Sequence, residues 1–312
     1  MSGIAPKDVS EQFETGTSVT GAYQTSGVYQ GAPSLGQADN YTVMNGPPLG
    51  DDGMRTLMHK LHDATETAMD GSTGVIANIA QTGQGAFDVT TGSRGDSPVF
   101  IVTVAADNSV SILKPQEKIP DADYHVTEFG SLGMAGADNV IIEKIALKPG
   151  ERAFVVTASD GLTDAYLGPG KDMAADIAGY LKAHPGAQDI SRYLAERATE
   201  LGAEDNTTII ATALHSQTDL RGQSVTMAVF DGVGHEDGTL SNQLARTLEN
   251  SLEGGAAPKL LAREELDHIS ARFDDYGRGA AAAIETKPAV AAAEARQSAP
   301  VAKAASNFQL KR

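Results

Sequence analysis

The stretch that decides the fold is residues 153–166, which read AFVVTASDGLTDAY. Its first half is an apolar, β-branched run over residues 153–156, which predicts a buried strand. Asp160 stands where this strand ends, and Gly161 follows it directly. A carboxylate in this place projects into a crevice at the edge of a sheet, while the glycine lets backbone or ligand approach closely. Asp164 adds a second carboxylate four residues later.

Two other segments place acidic motifs at strand ends. The segment GAEDNTTIIATAL puts Asp205-Asn206 just before the β-branched run 207–211. The segment TMAVFDGVGHEDG puts Asp231-Gly232 just after an apolar run. Asp-Gly and Asp-Asn pairs are ordinary turn formers, so each motif alone is most simply a turn. Three such motifs, all at strand ends rather than on open helix faces, favour a shared site.

The rest of the pattern alternates strands with helices. Residues 99–104 and 110–113 flank an Ala-Asp-Asn-Ser turn and predict a β-hairpin. Apolar residues at helical spacing predict five core-facing helices. Their apolar positions are Met54, Leu57, Met58 and Leu61; Met173, Ile177, Tyr180 and Leu181; Ile190, Leu194, Ala198 and Leu201; Leu240, Leu244, Leu248 and Leu252; and Ala262, Leu266, Ile269 and Phe273. A sheet-rich α+β domain with helices covering its sheets fits this pattern.

The composition limits the function classes. A chain of 312 residues with 41% hydrophobic content suits one large domain. Its formal charge of −17 repels nucleic-acid backbones and anionic membrane surfaces, so we expect neither as a partner. The chain has no cysteine, so a metal site must use oxygen or histidine ligands. Because no apolar run is long enough to span a bilayer and the N-terminus lacks the apolar core of a secretory signal, we expect a soluble, cytoplasmic protein.

The two ends of the chain differ from its middle. Residues 1–17 are polar and patternless, which predicts a flexible N-terminal arm. Residues 277–312 are Ala-rich, low in complexity and broken by two prolines, which predicts a disordered tail. The tail carries six Lys/Arg against two Glu and is therefore basic. A solvated extension and a docking or export signal both remain open for it. The predicted catalytic domain lies between them, over residues 18–276.

Several strings together resemble the PPM (2C-type) family of metal-dependent Ser/Thr protein phosphatases. The strings are Ala-Ser-Asp-Gly-Leu-Thr-Asp at 158–164 and Asp-Asn-Thr-Thr at 205–208, the latter after an amphipathic helix. Gly-Ser-Thr at 71–73 and Gly-Asp-Ser at 95–97 match two more elements. Asp39 in SLGQADNYTV corresponds to the family's aspartate before the second strand. The resemblance covers roughly residues 18–255.

The resemblance includes a transposed element. The string Asp-Gly-Val-Gly-His at 231–235 is similar to the family's Asp-Gly-His-Gly-Gly motif, which normally follows the first acidic motif. Here it comes after Asp205, on the C-terminal side of the domain. The transposition is compatible with the family's fold if the strand 225–230 still inserts in the same place in the sheet.

Three positions depart from the family's pattern. Ser34 stands in place of the phosphate-binding arginine, Ala38 in place of an acidic residue and Val233 in place of a histidine that is a candidate proton donor. His235 is near enough in sequence to replace that histidine, and Arg94 is a candidate for holding phosphate.

The resemblance implies an α+β fold, an antiparallel β-sandwich flanked by helices on both faces. It implies hydrolysis of phosphoserine and phosphothreonine in phosphoproteins by a metal-activated water at a binuclear site. Hard oxygen ligands select Mn²⁺ or Mg²⁺. By resemblance, the catalytic residues are Asp231, Asp160 and Asp205. The resemblance implies that Asp231 bridges two metal ions, with the Gly232 carbonyl on one of them. Asp160 and Asp205 hold the other ion, and Asp39 acts through bound water. Asp96 and Asp164 complete a third, weaker metal position.

Two other interpretations use the same residues. A catalytically impaired pseudophosphatase would keep the fold as a protein-interaction module, with catalysis lost through the three departures. A calcium-binding β-protein would use the acidic loops, although the Asp-x-Asp-x-Asp spacing of a continuous calcium loop is missing.

The composition of the tail yields a first prediction. Residues 278–312 have too little apolar surface to offset the entropy of ordering them. Truncation after Gly277 is therefore expected to leave the melting temperature and phosphatase activity nearly unchanged, measured on the full-length and shortened proteins side by side. A large loss of either would mean that the tail packs on the domain.

Overall fold

The computed structural model describes residues 9–25, 28–29, 32–33, 39–65, 71–115, 129–130, 139–232, 239–252 and 258–260. In this part of the chain two antiparallel sheets pack face to face, and helices cover both outer faces. The predicted α+β class, a β-sandwich flanked by helices on both faces, is confirmed. Among the described residues, no helix is long and apolar enough to cross a membrane.

The described elements that apolar spacing predicted appear in the predicted order, together with further strands and one short helix that were not predicted. The strands are β1 (Val9–Thr15), β2 (Ser18–Thr25), β3 (Val28–Tyr29), β4 (Ala32–Pro33), β5 (Asn40–Gly46), β6 (Gly71–Gly83), β7 (Ala86–Arg94), β8 (Val99–Val104), β9 (Val110–Leu113), β10 (Phe129–Gly130), β11 (Asn139–Ala146), β12 (Arg152–Ala158), β13 (Thr207–His215), β14 (Ser224–Gly232) and β15 (Lys259–Leu260). The helices are α1 (Asp51–Thr65), α2 (Asp160–Ala165), α3 (Met173–Ala183), α4 (Ser191–Glu200) and α5 (Thr239–Ser251).

The two large sheets share a dry interface. The first sheet has the order β15-β1-β2-β13-β12-β8-β9, and the second has the order β11-β7-β6-β14-β5, with β10 paired to β6. Side chains alternate between the two faces of each strand. In β14, for example, Val225, Met227 and Val229 lie in the core between the sheets, whereas Ala228 and Phe230 face a helix layer.

Four of the five predicted helices lie in the described residues and cover the outer faces. Helices α2, α3 and α4 pack on the first sheet, and α1 and α5 pack on the second. Their predicted apolar positions face the sheets; in α1, for instance, Met54, Met58 and Leu61 are fully buried. The predicted β8–β9 hairpin is also confirmed. The fifth predicted helix, over residues 262–273, and the tail lie outside the described residues.

The transposed strand β14 occupies an inner place in the second sheet. It pairs antiparallel with β5 on one side and with β6 on the other. Phe230 near its end lies opposite Asn40 at the start of β5. The strand that carries Asp231 therefore lies directly beside the strand that follows Asp39, although most of the chain separates them in sequence.

The predicted flexible arm over residues 1–17 is wrong for residues 9–15, because these form β1. This strand pairs with β2 along its whole length and with β15 at its end. The polar sequence of β1, VSEQFET, shows no apolar alternation, so the strand could not be predicted from that pattern. The strand contributes to the sheet mainly through backbone hydrogen bonds. Phe13 is its link to the core between the sheets.

A half-buried carboxyl group connects β1 and β2 to helix α4. Asp189 accepts hydrogen bonds from Gln12 Nε2 at 3.1 Å and from the Ser191 amide at 2.8 Å. It fits against β2 only because residue 21 is glycine, since a Cβ there would lie 2.1 Å from Asp189 Cγ. Burial raises the pKa of the Asp189 carboxyl.

This contact yields a second prediction. Asp189→Ala leaves the Ser191 amide and Gln12 without their acceptor, so the free energy of unfolding should fall by about 1–3 kcal/mol. Asp189→Asn keeps the size and one acceptor oxygen, so it should cost less than the alanine variant. Urea unfolding of the three proteins measures both differences, and equal stability of wild type and Asp189→Ala would contradict the fastening role.

Candidate functional site

Carboxylates from both sheets meet at one end of the sandwich. In the second sheet, Asp39 directly precedes β5 and Asp231 lies near the end of the antiparallel neighbour β14. In the first sheet, Asp160 follows β12, and Asp205 precedes the antiparallel neighbour β13. In an antiparallel pair, the start of one strand lies beside the end of the other. Each sheet thus brings two aspartates to the same edge.

One of these carboxyl groups, that of Asp231, lies beside two of the others. The Asp231 carboxyl is in hydrogen-bond contact with Asp39 on one side and with Asp160 on the other. Asp39 is 5% exposed and Asp231 is 8% exposed, whereas Asp160 is half-buried. Asp205 is exposed at the rim, and its charge acts on all three.

Burial and mutual repulsion make these carboxyl groups weak acids. Burial, followed by the charge of Asp231, raises the pKa of Asp160 to about 9. Burial also raises the pKa of Asp39 to about 7, against the hydrogen bonds it receives. The pKa of Asp231 is raised well above its ordinary value, first by burial and then by the charge of Asp39. Contacts between carboxyl groups require shared protons or a compensating cation.

The remaining two predicted residues lie on the outer side of the cluster. Asp96 is half-buried and Asp164 is exposed. The pKa of Asp164 is raised by partial burial and then by the charges of Asp96 and Asp205. Asp96 also acts electrostatically on Asp160. These two aspartates therefore extend the acidic cluster toward solvent.

Three polar residues that the sequence analysis missed hold Asp39 in place. Thr208 Oγ1 donates a hydrogen bond of 2.8 Å to Asp39 Oδ2. The Ser159 hydroxyl lies beside the same carboxylate and donates to the Asn206 carbonyl oxygen at 3.3 Å. Gln24 Nε2 supports Thr208 Oγ1 at 3.0 Å. Ser159 and Thr208 belong to the motifs 158–164 and 205–208, so the motifs contained a signal for them. Gln24 has no such signal, because it comes from a distant strand.

Gly161 is required where α2 passes the start of β13. A Cβ at this position would lie 2.3 Å from the Asn206 carbonyl oxygen and 2.8 Å from Thr207 Oγ1. The prediction that a glycine here allows a close backbone approach is confirmed. The approach brings the segments that carry Asp160 and Asp205 together.

A second glycine shapes the turn that carries Asp96. Gly95 has φ +79°, and a Cβ on it would lie 2.5 Å from Thr73 Cβ. Thr73 Oγ1 and Ser97 Oγ hydrogen bond at 2.7 Å across the same turn. The neighbouring Ser72 Oγ donates to the Asp231 carbonyl oxygen at 2.7 Å. The Gly-Ser-Thr and Gly-Asp-Ser strings thus form a support beneath the acidic cluster.

The donor chemistry of the cluster suits a hard divalent cation. All candidate metal-ligating side chains are carboxylates, which provide hard oxygen ligands. One of their oxygens, Asp160 Oδ1, is buried without a hydrogen-bond partner. In the described residues, however, no three His, Asp or Glu side chains are arranged as a ready-made metal-binding group. The carboxyl groups instead contact one another in pairs. A cation at this position would replace the shared protons and reorient the carboxylates.

Arg94 does not serve as the proposed phosphate ligand. It is only 2% exposed, lies 5.3 Å from the centroid of the Phe129 ring and contacts His62 Nδ1 at 3.0 Å. The alternation of the sheet puts it on the helix-facing side, with Phe230, and not on the side of Asp231. The other departures from the family pattern, Ser34, Ala38 and Val233, and also His235, lie outside the described residues.

Comparison with known proteins finds similarity in solved structures only. No protein-family model matches the chain, and no curated protein matches it. Several of its structural neighbours are described as serine/threonine phosphatases, and one of them is a serine-threonine phosphatase 2C from Toxoplasma gondii.

Three neighbours illustrate the degree of similarity. A phosphatase from Toxoplasma gondii has a TM-score of 0.44 at 13% identity and covers 73% of this chain and 100% of its own. The Mycobacterium tuberculosis serine/threonine phosphatase PstP/Ppp has a TM-score of 0.37 at 14% identity and covers 64% and 99%. The catalytic domain of PstP in complex with two manganese ions has a TM-score of 0.34 at 14% identity and covers 68% and 94%. These likenesses concern the fold alone, and the activity and the manganese belong to those proteins.

The raised pKa of Asp160 yields a third prediction, for protein kept free of divalent metal by a chelator. A carboxyl group with a raised pKa binds more protons in the folded than in the unfolded protein. Its presence therefore lowers the free energy of unfolding as pH rises from about 4 to about 9. Asp160→Asn removes this loss, so its melting temperature should exceed that of wild type by an amount that grows over this range. At pH 9 we expect the free energy of unfolding of Asp160→Asn to exceed that of wild type by at least about 1 kcal/mol. This corresponds to a melting temperature about 2–4 °C higher.

The matched control for this measurement is Asp164→Asn, which removes a neighbouring but exposed carboxylate. Its effect on the melting temperature should be smaller at every pH, because solvent screens its charge. If the difference in melting temperature between Asp160→Asn and wild type stayed constant from pH 5 to pH 9, this would contradict a raised pKa of the Asp160 carboxyl.

Proposed function

We propose that this protein is a metal-dependent phosphatase that hydrolyses phosphoserine and phosphothreonine in phosphoproteins. The observation that carries the proposal is the contact between Asp39, Asp231 and Asp160, which come from two different sheets and meet at the end of the sandwich. Three carboxyl groups brought together at one end of the sandwich have no evident structural use. Their mutual repulsion is costly unless cations compensate it.

The central position of Asp231 suits it to contact more than one Mn²⁺ or Mg²⁺ ion. Asp231 is the carboxyl group that touches both of the others, so it would hold two ions, with the Gly232 carbonyl on one of them. Asp160 and Asp205 would hold the second ion from the first sheet. Asp39 is fixed by Thr208 and would act through bound water. Asp96 and Asp164 would form a weaker third position at the rim.

Divalent cations at this site would neutralise the phosphoryl oxygens and lower the pKa of an attacking water. The chain's own residues do the positioning. Ser159 and Thr208 orient Asp39, and Gly161 keeps the two acidic segments of the first sheet adjacent. This mechanism requires no protein nucleophile, which agrees with the absence of cysteine.

The charge of the site explains why the activity should depend strictly on metal. A phosphomonoester is a dianion, and the cluster adds further negative charge at its rim through Asp205 and Asp164. Without cations the site repels its substrate. The proposal therefore requires that added Mn²⁺ both permit substrate binding and start turnover.

The fourth prediction compares two aspartates at different depths in hydrolysis of p-nitrophenyl phosphate. Asp231→Ala removes the carboxyl group at the centre of the cluster, so Mn²⁺-dependent turnover should become undetectable. Asp164→Ala removes an exposed group that would hold one ion weakly, so it should keep measurable activity and require more Mn²⁺. Both variants should remain folded by circular dichroism, because losing one of several crowded carboxylates relieves repulsion.

Asp63→Ala provides the control for general charge effects, since Asp63 is exposed on α1 and belongs to no part of the cluster. It should match wild type in activity and in Mn²⁺ requirement. Equal activity of wild type and Asp231→Ala at saturating Mn²⁺ would refute the two-metal proposal. No activity in any form, with the fold intact, would favour the pseudophosphatase. The observation that favours the pseudophosphatase is that no three His, Asp or Glu side chains in the described residues form a ready-made metal-binding group.

A further inference from the structure

An exposed leucine lies next to the rim of the acidic cluster. Leu167 is 68% exposed, more than either of the other two large hydrophobic side chains that are exposed in the described part of the chain, Leu113 and Ile142, each at 40%. It follows α2, the helix that carries Asp160 and Asp164. Single exposed hydrophobic side chains are common on protein surfaces, so the significance of Leu167 depends on its place beside the acidic cluster.

Leu167 has a fixed position relative to the candidate site. Its backbone amide donates a hydrogen bond of 3.1 Å to the Asp164 carbonyl oxygen, which closes a turn. A turn of this kind keeps the Cα atoms of its first and last residues within about 7 Å. The leucine therefore lies on the protein surface within one turn of the outermost carboxylate of the cluster.

The loop that carries Leu167 is anchored on both sides. Before it, Tyr166 Oη donates to Asp176 Oδ2 at 3.1 Å. After it, Lys171 Nζ donates to the Ala165 carbonyl oxygen at 2.7 Å and to the Leu201 carbonyl oxygen at 3.4 Å. These bonds tie the loop to α2, α3 and the end of α4. A partner that buries Leu167 thus meets a side chain on a preorganised loop, which lowers the entropic cost of the contact.

Open space surrounds the residues that follow Leu167. Gly168 has φ +111° and Gly170 has φ +82°, and a Cβ on either would meet no atom within 4 Å. The glycines allow the loop to turn and leave room beside the leucine. The two glycines themselves therefore place no side chain between a bound polypeptide and the leucine.

We propose that Leu167 is a specificity-determining residue that contacts an apolar side chain flanking the phosphorylated residue of a protein substrate. This inference rests on the proposed function. An extended peptide advances about 3.3 Å per residue, so a residue within about four positions of the phosphorylated one reaches Leu167. The preferred substrates are phosphoproteins with a Leu-like side chain at one such position.

The test uses phosphothreonine peptides with serine at the four positions on each side of the phosphothreonine. In each peptide, one of these serines is replaced by leucine, and the peptide without leucine is the reference. With Mn²⁺, wild type should show about tenfold higher kcat/KM for the best leucine peptide than for the reference. In Leu167→Ser this preference should disappear, mainly through KM. Each variant's kcat/KM for p-nitrophenyl phosphate serves as its internal standard, because that substrate has no flanking residues.

Ile142→Ser is the matched control, since Ile142 is an exposed aliphatic residue in the middle of edge strand β11. It should keep the leucine preference. The inference is overturned if wild type has no preference, if Leu167→Ser retains it, or if Ile142→Ser also loses it. Light scattering of wild type and Leu167→Ser should give the same mass, and a dimer lost only in Leu167→Ser would assign the leucine to self-association instead. Absence of p-nitrophenyl phosphate turnover in wild type is a different result, because it overturns the proposed function itself.

Discussion

The contact of Asp231 with Asp39 and Asp160 is the constraint on which the candidate site depends. Two of these carboxyl groups come from one sheet and the third from the other, so the contact exists only if both sheets end at the same level. Core residues between the sheets, such as Val229 and Val155, pack together and fix the position of one sheet relative to the other. The core and the acidic cluster are therefore two parts of one arrangement, in which apolar packing holds like charges closer than they would otherwise stay.

The sequence predicted the elements that bury a clear apolar pattern. The stripes at Met54 to Leu61 and at Leu240 to Leu252 specify helices because each buries one face on a sheet. The strand β1 was missed because backbone hydrogen bonds to β2 stabilise it and its side chains are mostly polar. Apolar periodicity detects side-chain burial, and it cannot detect a strand whose contribution is mainly main-chain pairing.

The aspartates of the cluster were identifiable because each stands beside a strand end in a short motif. Gln24 was not identifiable, since its role follows from the pairing of β2 with β13, which no local pattern records. Arg94 was misjudged for a related reason. The sequence did not reveal which face of the sheet Arg94 occupies at the end of β7. Its register with Gly74 places it on the side of α1 and not on the side of Asp231. The metal-ligand roles of all the site residues remain predictions, namely those of Asp231, Gly232, Asp160, Asp205, Asp39, Asp96 and Asp164.

The insertion of β14 between β5 and β6 affects how the chain can fold during synthesis. Strand β5 has β14 as its partner in the second sheet, and β2 pairs with the equally late β13. On the ribosome, the early strands emerge with unpaired edges and stay so until most of the domain has been translated. Contacts this distant in sequence slow folding, and exposed strand edges favour intermolecular pairing in the meantime. A chain order that placed β14 directly after β5 would shorten the time for which the edge of β5 stays unpaired.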